Sequence, residues 1–79
     1  VVYPNPSNGL FSVKIPEFLR GGILIVSDVS GKICYQKEIF YSVLEEIDIT
    51  ALPSGRYNIE IYPHDNQERI FYGTQVVKM

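Results

Sequence analysis

The chain has 79 residues, a formal net charge of −2, and 46% hydrophobic against 20% charged residues; that suits one small globular domain and is too apolar for a disordered segment. Its cations, Lys14, Arg20, Lys32, Lys37, Arg56, Arg69 and Lys78, are scattered among nine acids, whereas a nucleic-acid binder concentrates positive charge against phosphates, so that class is set aside. No run approaches the roughly 18 apolar residues of a membrane-spanning helix, so no integral membrane segment is expected. No N-terminal stretch resembles a signal peptide. The chain begins at Val1, which reads as a piece of a longer protein.

The opening "VVYPNPSNG" cannot be helical. Pro4 and Pro6 lack an amide hydrogen and push the residues before them toward extended geometry. Asn5, Ser7, Asn8 and Gly9 supply turn chemistry. The stretch therefore reads as an edge strand entering a compact domain. "LFSVKI" follows, alternating Phe11, Val13 and Ile15 against Leu10, Ser12 and Lys14. "GILIVSD" is a continuous apolar run, suited to a strand covered on both faces or central in a sheet. "DVSGK" is a turn, with Gly31 free to take positive φ and Asp28 placed to bond nearby amides.

"KICYQKEI" alternates again, Ile33, Tyr35 and Ile39 against Cys34, Gln36 and Glu38. "VLEEIDI" places Ile47 and Ile49 two apart, and the β-branched residues through Thr50 argue against a helix there. "GRYNIEIY" sets Tyr57, Ile59 and Ile61 against Arg56, Asn58 and Glu60. After the turn-forming "PHDNQE", the stretch "RIFYGTQVVK" makes a last strand with a bulge expected at Gly73. About seven short strands with regular turn punctuation predict an all-β fold, a small antiparallel immunoglobulin-like β-sandwich in a single domain, 1–79. In "LPSGRY", Leu52 should plug the core while Tyr57 bonds back to upstream backbone as a tyrosine corner.

Chemistry is sparse. Lone Cys34 can form neither an internal disulfide nor a cysteine-based zinc site. Cys34 and His64 would make a thiol–imidazole pair only if the fold joined them, and no third group suggests itself, so no catalytic residue is assigned. Glu45, Glu46 and Asp48 form the acidic cluster; a strand splits them between two faces, so a solvated edge that discourages pairing is expected rather than a metal site. Gly21–Gly22 lacks the lysine and helix of a phosphate loop. No cofactor is called for. A carbohydrate-binding or adhesive β-sandwich module is the competing class, with Tyr41, Tyr62 and Tyr72 as its candidate stacking residues.

Taken together, "YPNPSNG", "DVSGK", "LPSGRY" and "VVKM", in that order, resemble the C-terminal sorting domain of the type IX secretion system of Bacteroidetes. The resemblance implies a non-catalytic address label at the tail of a larger secreted protein. Such domains pass through the periplasm with an upstream cargo domain and are recognised by the outer-membrane translocon. A sortase-like cysteine peptidase then removes them at the cell surface, the cargo being released or attached to lipopolysaccharide. Carried over by position, Pro4, Asn5 and Pro6 match the entry motif, Gly31 and Lys32 the Gly-Lys turn, and Leu52, Gly55 and Tyr57 the Leu-x-x-Gly-x-Tyr motif. Lys78 matches the basic residue near the terminus. Arg56 departs from the pattern, standing where a small or branched apolar residue is common; Ser27 and Met79 depart as well. Lys32 and Lys78 are the favoured contacts, because an isolated charge at a turn or terminus adds little stability. The strand around Val76, Val77 and Lys78 is expected to present the recognition surface, through its exposed edge.

Overall fold

A computed structural model of the chain describes residues 2–19, 21–40, 43–63 and 72–79, and only the backbone of Phe18 and Tyr72. Seven strands appear in it: β1 (Val2–Tyr3), β2 (Leu10–Lys14), β3 (Ile23–Ser27), β4 (Ile33–Glu38), β5 (Leu44–Asp48), β6 (Gly55–Tyr62) and β7 (Tyr72–Lys78). One 3-10 turn, Glu17–Leu19, bridges β2 and β3. The strands form a three-stranded sheet, β1-β2-β5, and a four-stranded sheet, β4-β3-β6-β7, with every pairing between strands antiparallel. Consecutive strands cross between the sheets three times, at β2–β3, β4–β5 and β5–β6. This is the expected immunoglobulin-like sandwich.

Period-2 alternation explains the core. Phe11, Val13 and Ile15 of the β2 segment, Ile47 and Ile49 of the β5 segment, Leu24 and Val26 of β3, Tyr57, Ile59 and Ile61 of β6, and Val76 of β7 are all buried. β3 is central in its sheet, and its outer residues Ile23 and Ile25 are half-buried. That is why its sequence is continuously apolar.

Two expectations fail. The register of β6 and β7 runs unbroken from Gly55↔Lys78 to Ile61↔Tyr72, so no bulge lies at Gly73. The irregularity is in β4 instead, where Ser27 faces Ile33 but Val26 faces Tyr35, leaving Cys34 as the extra residue. One inserted residue inverts the alternation beyond it. Ile33 therefore points outward and is 54% exposed, while Tyr35 packs against the core. Lys37, opposite Leu24, falls on the inner side.

The acidic strand is corrected by the same geometry. Glu45 lies between the sheets with Ile47, 7% exposed, and its carboxylate accepts a 2.9 Å bond from Lys37 Nζ across the sandwich. It is not solvated. Glu46 and Asp48 do point outward.

Candidate functional site

The four motif stretches lie at one end of the sandwich. Register places Gly55 beside Lys78 and Ser27 beside Asn58, so the β3–β4 turn, the start of β6 and the end of β7 share that end. Leu10 beside Asp48, and Ile49 N–H donating to Gly9 O at 2.7 Å, bring the β1–β2 and β5–β6 connections there too.

The entry motif does more than turn the chain. After pairing with β2 through Val2 and Tyr3, the segment passes to the other sheet and lies along the open edge of β7. Ser7 bridges Lys78 in parallel: its N–H donates to Val77 O at 2.8 Å, and its carbonyl accepts from Met79 N–H at 2.8 Å. Asn5 adds the preceding rung with its side chain. Its Oδ1 accepts from Val77 N–H at 2.9 Å, and its Nδ2 donates to Gln75 O at 3.1 Å. A carboxamide is chemically a peptide unit, so Asn5 supplies what a backbone interrupted by Pro6 cannot. Both flanking bonds, Tyr3-Pro4 and Asn5-Pro6, are cis.

Ser7 is buried, its Oγ donating to Leu10 O and accepting from Gly9 N–H at 2.8 Å. Gly9 has φ of 114°, and a Cβ there would stand 2.7 Å from Thr50 Cα and 2.9 Å from Lys78 Cε. No other residue fits this position.

The "DVSGK" turn is organised by one carboxylate. Asp28 Oδ1 accepts from Ser30 Oγ at 2.6 Å, Ser30 N–H at 2.9 Å and Lys32 N–H at 3.0 Å. These bonds, Ser30's hydroxyl first, hold the Asp28 carboxyl below its ordinary 3.8. Gly31, at φ of 90°, donates its N–H to Asp28 O. Asp48 does the same for Thr50, taking its Oγ1 at 2.6 Å and its N–H at 2.9 Å, and is lowered for the same reason.

At the third stretch the tyrosine corner is present: Tyr57 OH donates to Pro53 O at 2.6 Å. Burial chiefly, and then the charges of Cys34 and Asp28, raise the phenol above its ordinary 10.0. Leu52 packs against the core. Lys78 is no isolated charge: it is half-buried and its Nζ donates to Leu52 O at 2.7 Å, tying the last strand to this turn. Lys32, by contrast, is exposed.

Pro4, Asn5, Pro6, Gly31, Lys32, Leu52, Gly55, Tyr57, Val76, Val77 and Lys78 are thus gathered at one end, though not all on its surface. Tyr57 and Val76 are buried; Pro4, Asn5, Pro6, Gly31, Lys32 and Gly55 are exposed. The expected free edge at Val76, Val77 and Lys78 is not free, because residues 5–7 cover it. Ser7 and Gly9, which the residue-by-residue reading passed over, complete the cover. Nothing in a Ser-Asn-Gly turn signals that it will dock on a strand some 70 positions later.

Among the described residues no group of three or more His, Cys, Asp or Glu side chains is placed to hold a metal. Cys34 Sγ donates weakly to Lys32 O at 3.4 Å. His64 and Tyr41 lie outside the described residues, as does the side chain of Tyr72. Tyr62 is half-buried with its hydroxyl donating to Glu60, and burial first, then Glu60, raises its pKa.

In comparisons with known proteins, the family model described as "Secretion system C-terminal sorting domain" matches residues 1–71. That span holds three of the four motif stretches and stops short of the last strand. No curated protein and no solved structure matches the chain.

Proposed function

The chain belongs to the secretion system C-terminal sorting domain family, the type IX sorting domains, and on that premise we propose the route its cargo takes. Membership makes it a secretion-sorting signal associated with secreted and surface proteins, not a catalyst. On our reading, 1–79 is a single sorting domain at the tail of a larger secreted protein. It crosses the periplasm behind an upstream cargo domain and engages the type IX outer-membrane translocon. A surface sortase-like cysteine peptidase then removes it, and the cargo is released or joined to lipopolysaccharide.

The observation that carries this reading is the convergence of all four motif stretches on one end of a folded domain. Physically, a translocon meets side chains there rather than a bare strand. The strand edges at this end are guarded against pairing: β7 from Gln75 onward by residues 5–7, β4 by its bulge, β5 by inward Glu45, and β1 by its two-residue length and Pro4. On this reading recognition does not add a strand at Val76, Val77 and Lys78, along which residues 5–7 already lie. The recognition residues that remain are the exposed ones, Lys32 first, with Pro4, Asn5, Pro6, Gly31 and Gly55 shaping the surface. Leu52, Tyr57, Val76 and Lys78 hold that surface in place.

The test fuses residues 1–79 behind a periplasm-directed fluorescent reporter in Bacteroidetes strains with and without a working type IX translocon. Release to the surface or medium in the competent strain alone, with the reporter shortened by the 9.0 kDa of the domain, is the expected result. Full-length reporter held in the periplasm of both strains would overturn it.

A further inference from the structure

Four of the large apolar side chains exposed on this molecule stand at the motif end: Val29 at 76%, Met79 at 72%, Ile33 at 54% and Val77 at 36%. Two of them, Val77 and Ile33, adjoin cations. Arg56 pairs directly with Val77, and since Tyr57 and Val76 point inward, both sit on the outer face of the four-stranded sheet. Ile33, turned outward by the bulge, lies opposite Ser27, which lies opposite Asn58, two residues from Arg56. Lys32 adjoins Ile33. Two strand spacings separate β4 from β6, which puts the Lys32 and Arg56 backbones on the order of 10 Å apart.

Neither cation forms an ion pair among the described residues, and the Lys32 charge acts only as a minor contribution to the lowering of Asp28. The one ion pair among the described residues is Lys37–Glu45, and the carboxylates at this end, Asp28 and Asp48, are turned onto Ser30, Lys32 N–H and Thr50. Among the described residues the remaining acids of this outer face, Glu38 and Glu60, lie farther from the motif end, Glu38 at the far end of β4 beside Ile23. Exposed apolar side chains interleaved with cations that no ion pair engages mark an interaction surface.

We propose that Val29, Lys32, Ile33, Arg56 and Val77 form a docking face for a protein surface in which apolar side chains alternate with carboxylates. This rests on the sorting reading and specifies the partner's chemistry. A polyanion or an anionic bilayer fits less well, for two reasons. The chain is acidic overall, with a sequence pI near 5.2, so an extended negative surface repels most of it. The apolar side chains also need an apolar counterpart to leave water. Arg56 is then a specificity residue, at the position where this chain departs from the family pattern.

The experiment uses the same reporter fusion and compares Lys32→Glu/Arg56→Glu and Val29→Ser/Ile33→Ser with a control, Lys14→Glu, on the other sheet. Thermal midpoints of the purified variants establish that each is folded. Both face variants should lower export at least roughly tenfold, as like charges across an interface and lost apolar contact do, while Lys14→Glu exports like the parent. Export of the charge-reversed variant at the parental level would overturn the proposal. So would equal loss in Lys14→Glu, which would mean a general charge effect. Loss on charge reversal alone, with binding of the parent to vesicles of anionic lipid, would assign the face to a membrane instead. If the parent fusion is not exported, the sorting reading fails and this inference with it.

Discussion

The two flanks of the sandwich, where the edges of one sheet meet those of the other, are closed in opposite ways. On the β1/β7 flank the chain itself crosses over, and Asn5 and Ser7 lay peptide-like hydrogen bonds along β7. On the β4/β5 flank side chains make the link, Lys37 and Glu45 reaching between the sheets. Hydrogen bonds between neutral groups ask little of their surroundings, and here they pair the last part of the β7 edge, at Gln75 O, Val77 and Met79 N–H. A buried charge pair holds two edges together while stabilising the fold weakly, because desolvation offsets most of the attraction. The entry motif thus lies on the flank that is hydrogen-bonded, and the other flank is kept from pairing with strangers by charge.

The largest blow to the first flank is Gly9→Ala. Positive φ and the close approach of Thr50 and Lys78 should together cost about 3 kcal/mol, read as a fall in chemical-denaturation midpoint. A cost under about 1 kcal/mol would mean the entry turn can move off Lys78 freely, and the contrast between flanks would dissolve.

The second flank is broken asymmetrically. Lys37→Met strands the nearly buried Glu45 carboxylate, whereas Glu45→Gln leaves a lysine side chain that is 39% exposed and can turn to water. Scaling the penalty of a broken buried pair down for that exposure, we expect roughly 2 kcal/mol for Lys37→Met and about half that for Glu45→Gln. The double variant Lys37→Met/Glu45→Leu should be close to neutral. Equal single losses would show that the pair, not its desolvation, governs the flank.

Smaller effects sharpen the comparison at the motif end. Tyr57→Phe removes the bond to Pro53 O and should cost about 1 kcal/mol. Asn5→Ala removes two exposed bonds to β7 for a similar or smaller loss. Amide exchange at Val77 should rise more in the Asn5 variant than in the Tyr57 variant. The reverse order would contradict the assignment of Asn5 to the edge.

The pH dependence also divides by region. The folded-state pKa values of Asp28 and Asp48 are depressed, so their contribution is present above the ordinary 3.8 and is lost as pH falls through the folded values. Lys37 is raised, mainly by its hydrogen bond to Glu45, so its contribution is complete below the ordinary 10.5 and is lost as pH rises through the folded value. Stability curves of Asp28→Asn should flatten on the acid side only, and those of Lys37→Met on the alkaline side only. A mirror-image result would show that the shifts have other causes.

The sequence by itself determined the features that local chemistry dictates. Alternation along β2 and β6, the glycine and aspartate of the β3–β4 turn, and the tyrosine corner of "LPSGRY" were all legible, because each depends on residues within a few positions of one another. The four motif stretches were legible for the same reason, and they led to the family. Only the tertiary structure decided the rest. The bulge at Cys34 inverted β4 because its register is set by β3, not by its own residues. That inversion turned Lys37 inward to Glu45 and Ile33 outward beside Arg56. The covering of β7 by Asn5 and Ser7 joins the two ends of the chain, and no local pattern records a bond between groups about 70 residues apart.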